Sequence, residues 1–309
     1  MKTRRNGIRA IILLLLCMLC CTLLCARAEG YSLLVKGDKG AKVKQLQSRL
    51  SELGYLDGEA DGVYGNDTRD AVILFQRTAG LKADGKAGNA TQSRLYAADA
   101  PYAERTDTLA GEQPLLINKE FTAGDHFVPA DLVLLSDVIP EGLCTYKNKG
   151  IKGVREAAEA WAELLQAAHA DGLVKWQFSE GWRSYDRQKE LFDASVNRFI
   201  NNNGMSRSRA ISATRLTVAD PGTSEHHTGL AFDMTVPGKN FCDTAQYRWM
   251  KQHCWEYGFI LRYTDEKQSI TGFLGEEWHY RYVGKEHAMR IHELGICLEE
   301  YIDMLNSER

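Results

Sequence analysis

Residues 224–234 place two adjacent histidines directly before a segment with the pattern of a strand. Their sequence is SEHHTGLAFDM. From Gly229 onward, small or acidic residues alternate with large apolar ones, which is typical of a half-buried strand. Its apolar face would pack on a core, and its other face would leave Asp233 accessible. A histidine followed six or seven residues later by a carboxylate, across a loop-to-strand turn, can direct a nitrogen and an oxygen at one metal ion.

The segment 275–284, GEEWHYRYVG, supplies a candidate third ligand. It contains His279, with Glu276 three residues before it. Two histidines and one carboxylate leave the fourth position of a tetrahedral zinc ion open for water, as in catalytic rather than structural sites. A hydrolase also needs a base beside that water, and Glu276 is the candidate.

The two segments together resemble a known family. The patterns S-x-H-x-x-G-x-A-x-D and E-x-W-H-x-R-Y-V-G are similar to those of the VanY-type D-alanyl-D-alanine carboxypeptidases and their LD-carboxypeptidase relatives. The resemblance implies an α+β catalytic domain, with a small antiparallel sheet and helices around it, and zinc as the cofactor. It also implies that Glu276 is the general base. The three zinc ligands that it implies are His226, Asp233 and His279.

Two assignments have neighbouring alternatives. Strand alternation alone favours His227 as the ligand, because it would share a face with Asp233, whereas the resemblance favours His226. Family members usually carry Pro where this chain has Glu277. The general base is therefore one of two adjacent carboxylates, and the spacing to the later histidine favours Glu276.

The segment 181–188, GWRSYDRQ, resembles the family's G-Y-R-S-x-x-x-Q segment, with Trp182 in place of Tyr. The resemblance implies a catalytic role for Arg183, whose planar guanidinium suits a carboxylate or a developing oxyanion. A solvated or structural cation is the alternative for such an arginine. We further predict three substrate-binding residues, which are Gln188, Ser224 and Tyr263.

Residues 31–97 form a small unit of their own. Apolar residues at helical spacing begin at Val43, and a second apolar helical stripe follows from Ala71. The sequences DGVYGNDT at 61–68 and DGKAGNAT at 84–91 form an internal repeat of a loop followed by a helix. This unit resembles the three-helix peptidoglycan-binding module. We therefore expect a small all-α domain that binds the cell wall.

Residues 1–28 have the pattern of a secretory signal peptide. A basic start and an apolar run precede Ala26-Arg27-Ala28, a small-x-small cleavage site. The apolar run is short for a membrane span of about 20 residues, although an uncleaved anchor is the alternative. The rest of the chain has a net charge of −8, from 33 basic and 41 acidic residues, so nothing indicates nucleic acid or an anionic lipid surface.

Four cysteines remain after the leader, namely Cys144, Cys242, Cys254 and Cys297. In an exported chain Cys242 and Cys254 either form a disulfide or stay free thiols, since a chain of this size needs no disulfide to hold its core.

The polar residues 98–113 are predicted to be a linker, so the contact between the two domains is expected to be small or mobile. The catalytic domain then covers 114–309 and opens with a short apolar strand within 114–121.

These features predict an exported zinc carboxypeptidase, secreted or associated with the cell wall. It would remove a C-terminal D-amino acid, D-alanine, from peptidoglycan stem peptides. The alternatives are a zinc endopeptidase of peptidoglycan and a catalytically inactive wall-binding protein. We expect a monomer that contacts a membrane only if the leader is retained. D,D- and L,D-specificity both stay open at this point, as does a role in wall maturation or in glycopeptide tolerance.

Overall fold

The computed structural model describes residues 30–109 and 113–308. The predicted signal peptide therefore lies outside the described residues. Within the described ranges, no helix is long and apolar enough to cross a membrane. The four cysteines of the described part are all free thiols.

The N-terminal unit is a three-helix module, as predicted. Its helices enclose a core in which Leu46, Leu50 and Phe75 have no exposed surface. The helices are α1 Ala41–Glu52, α2 Asn66–Thr78 and α3 Asn89–Leu95.

The internal repeat has a structural counterpart in two buried glutamines. Gln47 Oε1 accepts a hydrogen bond from the backbone N–H of Gly62 at 2.7 Å, in the first copy. Gln76 Oε1 accepts the equivalent bond from Gly85 at 2.9 Å, in the second copy. Each glutamine also donates to a threonine hydroxyl of its own copy, at Thr68 and Thr91. In both copies of the repeat, a glutamine of the preceding helix therefore accepts the hydrogen bond of a backbone N–H in the tight loop.

The catalytic domain contains a five-stranded sheet with the strand order β2-β4-β5-β7-β6. Its pairs are antiparallel except β2–β4, which is parallel, and β1 and β3 form a separate antiparallel pair. The α+β class is confirmed, with one parallel edge added to the antiparallel sheet. The strands are β1 Leu132–Leu134, β2 Cys144–Tyr146, β3 Lys152–Val154, β4 Trp176–Glu180, β5 Ala231–Thr235, β6 Phe259–Tyr263 and β7 Glu276–Tyr282. The helices are α4 Leu135–Val138, α5 Arg155–Ala170, α6 Tyr185–Asn203, α7 Arg207–Thr214, α8 Ala245–His253, α9 Gln268–Thr271, α10 Lys285–Leu294 and α11 Leu298–Ser307.

One tryptophan of α5 organises the core on one face of the sheet. Trp161 has no exposed surface, and its ring lies 4.3 Å from that of Phe259 and 5.2 Å from that of Phe178. Phe232 of β5 packs on the same tryptophan at 6.1 Å. Because side chains alternate along a strand, Asp233 is directed to the opposite face of the sheet.

The segment 114–121 is not a strand, contrary to prediction. Its backbone bonds to side chains of the catalytic domain instead of a neighbouring strand. Arg281 donates to the carbonyl of Leu115 at 2.7 Å. At this point of the irregular segment, a buried arginine therefore takes the place of a strand partner.

The module contacts the catalytic domain through a few specific polar pairs, a small contact of the kind that the linker predicts. Arg77 forms two hydrogen bonds to Asp186, at 2.9 and 3.0 Å. Ser184 donates to Asp70 at 2.6 Å. In the described part of the predicted linker, Arg105 donates to the carbonyl of Gly54 from two nitrogens, at 3.0 and 2.6 Å. Partly buried polar contacts thus fix the module against the region where α6 begins.

Candidate active site

A cleft of about 450 Å³ lies at β5, β7 and the start of α6. All eight residues that the sequence analysis assigned to the site line this cleft. They are Arg183, Gln188, Ser224, His226, Asp233, Tyr263, Glu276 and His279.

Three of these residues direct ligand atoms at one point. Asp233 and His279 face each other because they are paired in the register of β5 and β7. His279 Nδ1 lies 3.1 Å from Asp233 Oδ1, and His226 Nε2 lies 3.4 Å from the same oxygen. The three ligand atoms all lie within 4.8 Å of one another.

The two adjacent histidines have different hydrogen bonds. His226 Nδ1 lies 2.7 Å from the carbonyl of Gly181, which can only accept, so Nε2 keeps its lone pair. His227 uses both nitrogens: Nδ1 donates to the carbonyl of Arg183 at 2.7 Å, and Nε2 accepts from the N–H of Gly222 at 3.1 Å. Of the two, only His226 has a nitrogen available for a metal.

Gly229 explains why strand alternation favoured the other histidine. The residues Glu225–Thr228 form a 3-10 turn, and Gly229 ends it with a φ of 68°. A Cβ at this position would lie 2.9 Å from Leu132 Cδ2. The left-handed conformation and the close approach both require glycine. Because the strand begins only at Ala231, alternation does not extend back to the histidines.

The donor set fits a metal cation. Asp233 Oδ1 is buried and accepts no hydrogen bond, although two imidazole nitrogens lie close to it. Glu225 Oε2 lies 3.4 Å from His279 Nε2, which leaves Nδ1 of that ring as the atom that faces Asp233. Burial alone would lower the pKa of His279, but Asp233 and Glu225 raise it to about 9. The site therefore favours a positive charge, and two imidazoles with one carboxylate are ligands that zinc prefers.

Glu225 is a buried partner that the sequence analysis missed. Its side chain has no exposed surface and lies 2.8 Å from Arg262 Nε and 3.3 Å from Arg281 Nη1. Burial alone would raise the pKa of Glu225, but the charges of the two arginines lower it. Arg262 also bonds Glu299 of α11 through two nitrogens, at 2.9 and 2.6 Å. His279 is therefore backed by a carboxylate that two buried arginines hold in the ionised form.

A sequence signal for this network existed. Arg262 stands in the otherwise apolar strand FILRY, where an arginine is rarely buried unless it is paired. The partner carboxylates, Glu225 and Glu299, are 37 residues away on either side. The pattern therefore indicates a buried ion pair but does not identify the partner.

Glu276 lies beside the ligand cluster. Its side chain is 14% exposed, and Oε2 lies 3.7 Å from His279 Nδ1. Burial raises the pKa of Glu276 to about 7; the charge of Asp233 also raises it, while His279 and Arg183 oppose the shift. The neighbouring Glu277 does not line the cleft. Only the first of the two adjacent carboxylates is therefore in a position to act there.

Arg183 is held from two sides with one nitrogen left over. Its Nη1 donates to Gln188 Oε1 at 2.7 Å, and its Nη2 lies 3.1 Å from Glu180. Nε is buried and has no hydrogen-bond partner. Gln188 also donates to the carbonyl of Ala219 at 2.6 Å. Both ends of Gln188 are thus engaged within the protein, and its contact with the site runs through the arginine.

The remaining predicted residues shape the cleft walls. Ser224 Oγ accepts a hydrogen bond from the N–H of His226 at 3.3 Å and so caps the turn that carries this histidine. The ring of Tyr263 lies 5.0 Å from that of His279. Trp278, which the sequence analysis did not assign, lines the cleft and is 38% exposed.

Comparison with known proteins shows which family the chain belongs to. The family model VanY, D-alanyl-D-alanine carboxypeptidase, matches residues 151–285, and the peptidoglycan binding domain model PG_binding_1 matches residues 39–95. YodJ of Bacillus subtilis, named as a carboxypeptidase, is 32% identical over 282 residues, which cover 86% of this chain and 97% of YodJ. The chain belongs to the VanY family. The predicted resemblance is confirmed for both domains.

A second VanY-family relative matches over a shorter stretch. The D-alanyl-D-alanine carboxypeptidase of Enterococcus faecalis is 41% identical over 147 residues. The match covers 48% of this chain and 53% of that protein, so the chain spans about half of its length.

Three solved structures share the fold of this VanY-family chain. VanYB in complex with D-alanine-D-alanine has a TM-score of 0.53 and 32% identity, covering 61% of this chain and 96% of VanYB. A VanY D,D-pentapeptidase from a VanB-type resistance cassette, in complex with Zn(II), has a TM-score of 0.51 and 33% identity, covering 61% and 97%. The LD-carboxypeptidase LdcB has the same TM-score and identity, covering 61% and 84%. Enzymes of both specificities are therefore among the structural neighbours.

Proposed function

We propose that this protein is a zinc-dependent carboxypeptidase that releases the C-terminal D-alanine of peptidoglycan stem peptides. The observation that carries the proposal is the convergence of His226, Asp233 and His279 on one point beside Glu276. Support comes from the membership of the VanY family and from a solved neighbour that contains Zn(II). The N-terminal module adds a domain whose family binds peptidoglycan.

In this proposal His226 Nε2, Asp233 and His279 Nδ1 hold the zinc ion. When bound, zinc polarises the scissile carbonyl and lowers the pKa of a water molecule towards about 7. Glu225 keeps the ring of His279 oriented through Nε2, as carboxylates behind metal-bound histidines do.

Glu276 moves the proton. Burial raises the pKa of Glu276, which suits a carboxyl group that takes a proton from the attacking water and later returns it. The same carboxyl group then gives the proton to the nitrogen of the leaving D-amino acid.

Arg183 stabilises negative charge on the substrate. Its Nε lacks a partner inside the protein, and Nη1 and Nη2 each keep a second N–H, so donors remain for the developing oxyanion or for the terminal carboxylate. Gln188 holds the guanidinium in place through Nη1. Loss of one such donor typically costs about 100- to 1,000-fold in rate.

The proposal includes export across the cytoplasmic membrane, because the substrate class lies in the cell wall and the sequence begins with a signal-peptide pattern.

The direct test combines zinc analysis of the full chain with three substrates. These are a pentapeptide stem, a tetrapeptide stem and a cross-linked dimer of stem peptides. We expect about one zinc ion per chain and release of D-alanine from a pentapeptide ending in D-Ala-D-Ala, identified by mass. Release from the tetrapeptide alone would assign L,D-specificity instead. Cleavage of cross-linked dimers without release of a terminal residue would show an endopeptidase. Zinc-loaded, folded protein that cleaves none of these substrates would refute the proposal.

A further inference from the structure

The contact between the module and the catalytic domain lies at the start of α6. This is also the place from which Arg183 and Gln188 enter the cleft. One strip of α2 provides Arg69, Asp70 and Arg77. The corresponding groups of the catalytic domain are Ser184, Asp186 and Glu190.

These contacts are specific and partly desolvated. Arg77 pairs with Asp186 through two hydrogen bonds, and their side chains are only 15% and 19% exposed. Arg69 pairs with Glu190 and also with its neighbour Asp70, whose side chain is 15% exposed. Partly buried pairs of this geometry are costly to break, because a single partner left behind keeps a poorly solvated charge. The contact is thus a defined docking site and not a loose encounter.

Ser184 links this contact to the catalytic machinery. It is the N-cap of α6, and its Oγ accepts from the N–H of Arg187 at 3.2 Å. The same hydroxyl donates its proton to Asp70 Oδ2 at 2.6 Å. Because a hydroxyl has one proton, the bond to Asp70 fixes its direction and leaves a lone pair for the cap. A residue of the module therefore completes the first turn of a catalytic-domain helix.

That first turn determines where the arginine points. Arg183 directly precedes Ser184, and its N–H donates to the carbonyl of His226 at 3.1 Å. Gln188, one turn into α6, holds the guanidinium at 2.7 Å. The segment is therefore held from the metal side by the catalytic domain and from the outer side by Asp70.

We propose that the module is a positioning element of the active site: Asp70, acting through Ser184, orders the segment that presents Arg183 to the substrate. The inference rests on the proposed function, since it assigns a role in that reaction. A displacement of about 1 Å at such a group can cost up to about 100-fold in rate. A module that only tethered the enzyme would change retention on the wall but not turnover of a free peptide.

The test compares full-length variants on a soluble pentapeptide ending in D-Ala-D-Ala. We expect Asp70→Ala to lower kcat by about 10-fold, with KM changed less than about 2-fold and zinc content unchanged. Asp70→Asn retains an oxygen that accepts from Ser184, so it should restore most of kcat. Arg94→Ala is the control, because this module residue pairs with Asp99 of the adjoining segment and not with the catalytic domain; its kcat should stay within about 2-fold.

Hydrogen exchange gives a readout that does not depend on activity. In Asp70→Ala, the amides of 183–188 should exchange faster by about 10-fold, whereas those of β5 and β7 should not change. If Asp70→Ala prevents folding of the module, Arg77→Ala probes the same contact, and the same two changes are expected.

Unchanged exchange at 183–188, together with unchanged kcat on the soluble peptide, would overturn the positioning role. A wild-type chain that cleaves no stem peptide would refute the proposed function instead. In that case, the exchange experiment would still decide whether the module orders this segment.

Discussion

The module and the catalytic cleft differ in how they treat buried polar groups. Within the described residues 30–97, every buried side-chain nitrogen and oxygen has a hydrogen-bond partner. The cleft leaves Asp233 Oδ1 and Arg183 Nε without one. An unpaired buried polar atom costs free energy of folding. Such atoms also occur in the core of the catalytic domain, at Trp161 Nε1 and Tyr280 Oη, but in the cleft a ligand can supply the missing partner. The difference separates a region selected for stability from one that keeps groups ready for chemistry.

The same difference is visible in residues of similar type. In the module, the side-chain amide of Gln76 forms all its hydrogen bonds with the loop and the helix start that follow it. In the cleft, the amide oxygen of Gln188 accepts a hydrogen bond from Arg183, whose Nε has no partner within the protein. The hydrogen bonds of Gln76 connect only groups inside the module. One of those of Gln188 leads to a guanidinium group that lines the cleft. The predictions below test this contrast.

The largest effect is expected at the metal. His226→Ala removes one of three ligands, so bound zinc should fall from about one ion per chain to less than about one tenth, with loss of activity. Metal analysis after gel filtration measures this. His227→Ala is the matched control, because both nitrogens of His227 are engaged elsewhere. Zinc loss in the control but not at His226 would assign the ligand to His227.

The next effect is expected at the proton carrier. Glu276→Gln keeps the shape of the side chain but cannot accept a proton, so turnover should fall by about 100-fold or more while zinc is retained. Steady-state kinetics with parallel metal analysis measures both. Glu277→Gln should be nearly silent, because that side chain does not line the cleft. Equal losses in the two variants would contradict the assignment.

A smaller effect is expected behind the metal. Glu225→Gln weakens the interaction with His279, so zinc affinity should fall by about 10- to 100-fold in competition with a chelator. Glu299→Gln is the matched control, since both carboxylates contact Arg262 but only Glu225 reaches His279. Similar affinities in the two variants would show that Glu225 serves only to balance buried charge.

The smallest functional effect is expected in the module. Gln76→Leu leaves the N–H of Gly85 without its partner, so the module should lose about 1–3 kcal/mol of stability. Urea denaturation followed at module residues measures the loss, and Lys82→Ala, at an 87% exposed side chain, is the control. Zinc content and turnover should stay within about 2-fold. A loss of zinc in Gln76→Leu would show that the two regions are not as separate as the buried polar groups indicate.

Much of the site could be predicted from the sequence because its candidate metal ligands and base lie in two short segments, and Arg183 and Gln188 lie in a third. The spacing from His226 to Asp233 and the motif around His279 identify the residues that the sheet register later brings together. The choice between His226 and His227 needed more than alternation. The turn that ends at Gly229 packs closely against Leu132 and accepts a hydrogen bond from the N–H of Val154 at 2.8 Å, and both residues come much earlier in the chain.

The docked module and the buried ion network could not be predicted from the sequence. Arg69, Asp70 and Arg77 have the pattern of a solvated helix face, since charged residues at this spacing are common on exposed surfaces. Their partners follow in the chain by more than 100 residues. Local patterns specify elements and motifs, whereas the pairing of surface charges depends on the assembled shape.

The ion network behind His279 joins residues that are translated at different times, so it bears on how the chain folds as it is synthesised. Arg262 balances its charge with Glu299, which is translated after all three candidate zinc ligands. A growing polypeptide that has just completed β7 would hold the ligand residues next to an arginine that still lacks one of its two carboxylates. The charge of this buried arginine is therefore fully balanced only once α11 has arrived, so a chain that ends before α11 is expected to be less stable and more susceptible to proteolysis.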